Sequence, residues 1–131
     1  MLQLRKISSQ REINSILLQE RYYKGSSPKT HDFIAMSGDF EAGILIYEDC
    51  ADTEGLIYEI FVLSEFRKRG VGNWILSRAE DIAVEFCHTK IRLDARTLDR
   101  DEMSHQDLAT WYQSKGYVWF NAETGRLEKA V

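Results

Sequence analysis

Leu56-Ile57-Tyr58-Glu59-Ile60-Phe61-Val62-Leu63 runs on, after three residues, into Arg67-Lys68-Arg69-Gly70-Val71-Gly72, and the two halves ask for different structure. The first half is almost continuously apolar, the pattern of a strand buried on both faces. From Gly70 the spacing changes: Val71, Ile75, Ala79, Ile82 and Phe86 fall on one helical face. A helix N-terminus carries unpaired N–H groups and the positive end of the helix dipole. Glycines there let an anion approach the backbone, which is how phosphates are commonly bound. Arg67, Lys68 and Arg69, the only dense basic run, add mobile positive charge. No GxxxxGK[ST] is present, and a dinucleotide fingerprint would need glycine where Ile75 stands. A pyrophosphate ligand outside those two classes remains, with a plain charged turn as the alternative.

Outward from this segment, residues 90–96 alternate, with Ile91, Leu93 and Ala95 on one face and Arg92, Asp94 and Arg96 on the other. The strand–helix–strand unit 56–96 must then be a crossover between parallel strands. Upstream, residues 32–37 and 42–50 read as strands joined by a hairpin at Gly38-Asp39, and residues 51–55 as a polar turn. Residues 2–7 form a first strand. Ser9 with Glu12 is a capping-box pattern, opening a helix that continues through Ile13, Ile16, Leu17 and Glu20 to about Tyr23. Lys24-Gly25-Ser26-Ser27-Pro28 breaks it. Downstream come a polar loop, 97–104, and a helix, 107–115, with Leu108, Trp111 and Tyr112 on one side and Gly116 as its C′ residue. Residues 117–121 and 126–131 read as a final strand pair. The order β-α-ββ-β-α-β-α-β-β makes residues 1–131 a single α/β (α+β) domain with a mixed, mostly antiparallel sheet.

The net charge of −4 argues against nucleic acid or an anionic membrane as partner of the whole chain. No apolar run reaches the length of a membrane span, and Met1-Leu2-Gln3-Leu4-Arg5-Lys6 lacks the pattern of a signal peptide. Cys50 and Cys87 form no CxxC pair, so neither zinc nor a disulfide framework is indicated. Both read as small buried apolar residues in a reducing, cytoplasmic setting. His31, His88 and His105 are scattered; His105 is the least improbable catalytic candidate, just ahead of the last helix.

These residues resemble the GCN5-related N-acetyltransferase (GNAT) superfamily. Arg67-Lys68-Arg69-Gly70-Val71-Gly72 matches its (R/Q)-x-x-G-x-(G/A) motif after the strand Ile60-Phe61-Val62. Ala109-Thr110-Trp111-Tyr112-Gln113-Ser114-Lys115-Gly116-Tyr117 resembles its ending, A..lY.k.GF. Together with the element order, the resemblance covers nearly the whole chain. Three positions depart from the pattern. Ser64 replaces a common proline, His105 stands where an asparagine is frequent, and one clear helix follows the first strand where two are usual.

The resemblance implies direct acetyl transfer from acetyl-CoA, as co-substrate and without a metal, to a primary amine of a small molecule or a protein. Two central parallel strands, near Glu59 and Asp94, would splay to admit pantetheine. Backbone groups of Ile60, Phe61 and Val62 would bind the pantetheine arm, and one N–H there would polarise the thioester carbonyl. Arg67, Lys68, Arg69, Gly70, Val71, Gly72 and Asn73 would hold the pyrophosphate. Tyr112 would protonate the leaving thiolate; the alternative is a core aromatic beside Leu108. An alkylammonium must lose a proton before it attacks, so a base is needed. Glu59, a carboxylate inside an apolar strand, and Asp94, on the next strand, are the candidates. Their alternatives are a strand-edge carboxylate bonded to backbone and an ion pair with a neighbouring arginine. Asp99, Asp101 and Glu102 would attract a cationic acceptor, or simply be solvated. The short segment 8–31 leaves the acceptor cleft open to a bulky amine or to cover by a second subunit, so a homodimer stays open. From another class, a non-catalytic acyl-CoA-binding sensor or interaction module would keep Arg67 to Gly72 without needing Tyr112 or a base.

Overall fold

The computed structural model describes residues 1–95, 104–121 and 123–131. In chain order the elements are β1 (Leu2–Ile7), α1 (Ile16–Gly25), β2 (Thr30–Ser37), β3 (Phe40–Asp49), β4 (Glu54–Val62), α2 (Val71–Glu85), β5 (Lys90–Asp94), α3 (His105–Ser114), β6 (Val118–Asn121) and β7 (Arg126–Ala130). All the strands join one seven-stranded sheet in the order β1-β2-β3-β4-β5-β7-β6. β4 and β5 pair parallel, as the crossover requires, and the other ladders are antiparallel.

The sheet has a core on each face. On one, Leu45, Tyr47, Ile57, Leu93 and Leu127 pack against Val71, Ile75, Ala79 and Ile82 of α2 and Ala109 and Tyr112 of α3. On the other, Ile34, Ile44, Ile46, Phe61 and Leu63 meet Ile7, Ile13 and Leu18 of the segment running into α1. β4 switches its allegiance partway along. Ile46 of β3 pairs with Glu59 while the next residue, Tyr47, pairs with Ile57, so Tyr58 is an extra residue, a β-bulge. Before the bulge Ile57 faces α2; after it Ile60 and Val62 face α2, and Phe61 and Leu63 face α1. Glu59, alternating with Phe61, therefore lies on the α1 face.

The first helix starts later than the sequence predicts. The Ser9–Glu12 pattern is present, with the Glu12 carboxylate accepting from the Ser9 N–H at 2.9 Å, but it closes only a 3-10 turn, Gln10–Glu12. The chain then extends to bury Ile13, and α1 begins after Ser15, whose hydroxyl accepts from Leu18 N–H. A long-range contact fixes that start. Glu41 of β3 accepts from the Asn14 N–H at 2.8 Å and the Ser15 N–H at 2.7 Å. Its side chain is only 7% exposed, so little water can replace it. Glu41→Ala is expected to cost about 3 kcal/mol in urea denaturation, because two backbone donors, that of Ser15 half-buried, lose a charged acceptor. A loss under about 1 kcal/mol would show that those N–H groups find other acceptors.

α3 likewise begins earlier than the 107–115 expectation, because Ser104 caps it through Asp107 N–H at 3.0 Å. Arg96 and the acidic loop residues Asp99, Asp101 and Glu102 lie outside the described residues.

α2 ends in a Schellman arrangement: His88 N–H donates to Ala83 O and Cys87 N–H to Val84 O, with Cys87 at φ 59°. This corrects the expectation of two buried cysteines. Cys87 occupies the exposed turn position of that cap, and Cys50 is half-buried. The same turn aims His88 inward. Its Nδ1 lies 2.6 Å from the Tyr47 hydroxyl and its Nε2 2.7 Å from Asp49 Oδ1, a chain that pins the C-terminal end of α2 to β3.

Candidate active site

The ladder between β4 and β5 joins Glu54 to Lys90 through Ile57 to Leu93 and goes no further, although β4 continues to Val62. Past β5, the Ala95 N–H donates to Gly125 O, so that strand follows β7 away from β4. Among the described residues, nothing pairs with the β5-facing edge of β4 beyond Ile57. The strands part at the place expected, between the stretches carrying Glu59 and Asp94. Ile60, Phe61 and Val62 form one wall of the opening.

α2 starts at the mouth of this opening. Gly70 is its N-cap in the left-handed region, φ 79°, and Lys68 before it has φ 63°. Trp74 N–H makes the first bond back, to Gly70 O, so the N–H groups of Val71, Gly72 and Asn73 are the open donors of this helix end. A Cβ built on Gly72 would meet nothing nearer than Trp111 and Val62 atoms at 3.9 Å. The end of β4, the start of α2 and α3 thus converge on this glycine. Trp111 Nε1–H donates to Asn73 Oδ1 at 3.1 Å and ties α3 to the first turn of α2.

The basic triplet is less mobile than its sequence suggests. Arg67 Nε–H donates to Val62 O at 2.9 Å and its guanidinium lies over the Phe61 ring at 5.4 Å. The Arg69 guanidinium lies 5.8 Å over Phe66. Two of the three cations therefore brace the loop beside the end of β4; Arg67 is half-buried, and Lys68 and Arg69 are exposed.

Tyr112 is buried, with Trp111 and Tyr117 rings edge-on at 4.8 and 5.7 Å. Burial pushes its phenol well above the ordinary tyrosine range, so the group stays protonated. Tyr117 beside it donates to Glu80 at 2.9 Å, whereas the Tyr112 hydroxyl makes no hydrogen bond among the described residues.

The two carboxylates have unlike surroundings. Asp94 is held by Arg126 across the sheet, with Nε at 2.8 Å and Nη2 at 3.5 Å. That is the ion pair weighed against a catalytic role, though its partner comes from β7 and not from β5. Glu59 lies under α1 with its side chain 9% exposed, and Arg21 Nε stands 3.6 Å from Oε2. Neither atom has a hydrogen bond, and both are buried. Burial pushes the Glu59 carboxyl up to about 7, opposed by the charges of Arg21 and Lys24. It is not bonded to backbone groups.

Arg21 is the residue that sequence reasoning missed. Leu18, Arg21, Tyr22 and Gly25 recur at the spacing of one helix face, and Leu18 and Gly25 are buried. A cation on that inward stripe was the available signal. His105 opens α3 as its first residue. Among the described residues no group of His, Cys, Asp or Glu could hold a metal ion, and no helix is long and apolar enough to cross a membrane.

A parted parallel pair facing an open, glycine-started helix is an arrangement that can take an extended ligand with an anionic end. The family model described as "Acetyltransferase (GNAT) domain" matches residues 29–119, and the chain belongs to that family. Solved structures agree on the fold. An IAA acetyltransferase from Bacillus cereus superposes with a TM-score of 0.69 at 16% identity, covering 100% of both chains. A Bacillus subtilis acetyltransferase in complex with CoA gives 0.67 at 14% identity, over 100% of this chain and 99% of that one. A GNAT family acetyltransferase from Elizabethkingia anophelis with acetyl-CoA bound gives 0.69 at 13%, over 99% and 98%. A search of curated protein sequences finds no significant match.

Proposed function

We propose that the chain transfers an acetyl group from acetyl-CoA directly to a primary amine. The observation that carries this reading is the unladdered end of β4 set against the open N–H groups of Val71, Gly72 and Asn73. An extended pantetheine arm can add its hydrogen bonds to β4 at Ile60 to Val62, in place of the missing strand. The pyrophosphate then meets the start of α2, with Arg67, Lys68 and Arg69 around it. Neighbours of this fold carry CoA and acetyl-CoA, which supports the choice of ligand.

Glu59 takes the proton of the incoming ammonium, directly or through water. A carboxyl near 7 is suited to that at neutral pH. The freed amine attacks the thioester carbonyl carbon, and its oxygen is stabilised by a β4 N–H. The C–S bond breaks, the thiolate takes the Tyr112 phenolic proton, and the second proton shed by the nitrogen returns to the tyrosinate through water. Both Asp94 oxygens face Arg126, which favours Glu59 over Asp94 as the base. The chain as one domain in the cytoplasm, with a small-molecule or protein amine as acceptor, completes the reading.

Thiol release from acetyl-CoA across a panel of amines tests it. Tyr112→Phe is expected to lower kcat about 100-fold with little change in CoA affinity, because it removes one general acid and no binding group. Tight CoA binding, no turnover on any amine and no effect of Tyr112→Phe would replace the enzyme reading with a cofactor-sensing module.

A further inference from the structure

All three buried side-chain atoms without a hydrogen bond are Arg21 Nε, Glu59 Oε2 and Asp32 Oδ1, among the described residues. They lie under α1. Asp32 pairs with Ile46, and Ile46 with Glu59, so the two carboxylates flank Ile46 in one row of the sheet. Asp32 has a partial partner, the Ser26 hydroxyl, which donates to Oδ2 at 2.7 Å. Between the carboxylates Gly25 presses on the sheet, and a Cβ there would come within 2.6 Å of Ile46 Cδ1 and 3.3 Å of the Tyr58 ring. The C-terminal half of α1 is thus seated firmly on the bulge that presents Glu59.

A buried arginine and carboxylate ordinarily form a hydrogen-bonded fork. Here the closest approach is 3.6 Å, and neither atom has any other partner. A fork would occupy the carboxylate lone pairs and make a poor base. An absent cation would leave a carboxylate in an apolar site, which prefers its neutral form. The loose contact lies between these two extremes.

We propose that Arg21 is a positioning residue for the acetyl transfer: from α1 it keeps Glu59 charged through space without tying up the carboxylate lone pairs in a hydrogen bond. The proposal rests on Glu59 being the base. Other groups also face this carboxylate. Lys24 lies one turn along α1, Arg67 lies over Phe61 on the same face, and Asp32 lies across Ile46 with the opposing sign. Arg21 is the one in near contact, and its charge is the larger of the two that oppose the effect of burial.

Two measurements on the full chain separate this inference from the reading beneath it. The first follows the Glu59 carboxyl by 13C NMR against pH, without ligands, in the parent, Arg21→Gln and Arg21→Lys. The Gln variant is expected to raise the half-titration by about one pH unit, and the Lys variant to restore most of it. Arg21→Met, of similar length, serves if the Gln variant does not fold. The second is the pH profile of kcat/KM with one acceptor. Its acidic limb should move upward with the carboxyl in Arg21→Gln, lowering the rate at pH 7 about five-fold. An unmoved half-titration in Arg21→Gln or Arg21→Met overturns the proposal. Normal turnover by Glu59→Gln instead removes Glu59 as the base, whatever Arg21 does to its titration.

Discussion

The Gly72→Asp chain is expected to melt no lower than the parent and to bind CoA about a thousand-fold more weakly. The two halves of this result have separate causes. Gly72 is the second residue of α2, where an added Cβ meets only ordinary contacts at 3.9 Å. Replacing a helical glycine favours the helix, and a carboxylate in the first turn suits the dipole by about 0.3–1 kcal/mol. The same carboxylate would sit at the proposed pyrophosphate site. Two like charges about 4 Å apart at an effective dielectric of about 20 repel by about 4 kcal/mol, which is about three powers of ten in affinity. Calorimetric titration with CoA and a thermal melt read the two quantities independently. Parental affinity for CoA in this variant would place the anion elsewhere and remove the start of α2 from the site.

Gly55→Ala should have the largest effect on stability, at the opposite end of the sheet. Its added Cβ would overlap the Tyr47 hydroxyl and come 2.8 Å from His88 Nδ1. Neither neighbour can retreat. Tyr47 is wholly buried, His88 is 5% exposed, and the two are bonded to each other. Relief requires breaking the Tyr47–His88–Asp49 chain and tilting the end of α2 away from β3. A loss above about 4 kcal/mol is expected, a large share of the stability of a chain this size. Adding Tyr47→Phe should recover part of it by removing the overlapped hydroxyl. A Gly55→Ala chain melting within a few degrees of the parent would show that this end of the molecule is far softer than its packing implies.

What could be read in advance follows the range of the interactions. The apolar run at Leu56, the switch to helical spacing at Gly70 and the alternation after Lys90 are local patterns, and they led to the parallel pair and the glycine-capped start of α2. Partners distant in the chain were not legible. Ser9 and Glu12 formed the expected box, but Glu41 sets where α1 begins. Asp94 was weighed against its strand neighbours, yet sheet register gives it Arg126. Glu59 could be singled out as an acid in apolar surroundings. Arg21, which gives that acid its character, comes from another element and touches it only once α1 is seated.

The bulge at Tyr58 has a consequence for how this strand can change over time. Side chains along a strand keep a two-beat rhythm, and the bulge adds one silent beat. Everything after it, Glu59 included, is thereby moved to the opposite side of the sheet from where strict alternation after Ile57 would put it. Were Tyr58 paired as an ordinary strand residue, Glu59 would turn towards α2 and Ile60 towards Arg21, with the sequence unaltered. Removal of residue 58 would instead abolish the bulge and leave Glu59 next after Ile57, still on the α1 face. Two chains matched without a gap there, one with the extra beat and one without, would have the residues after it assigned to the wrong side.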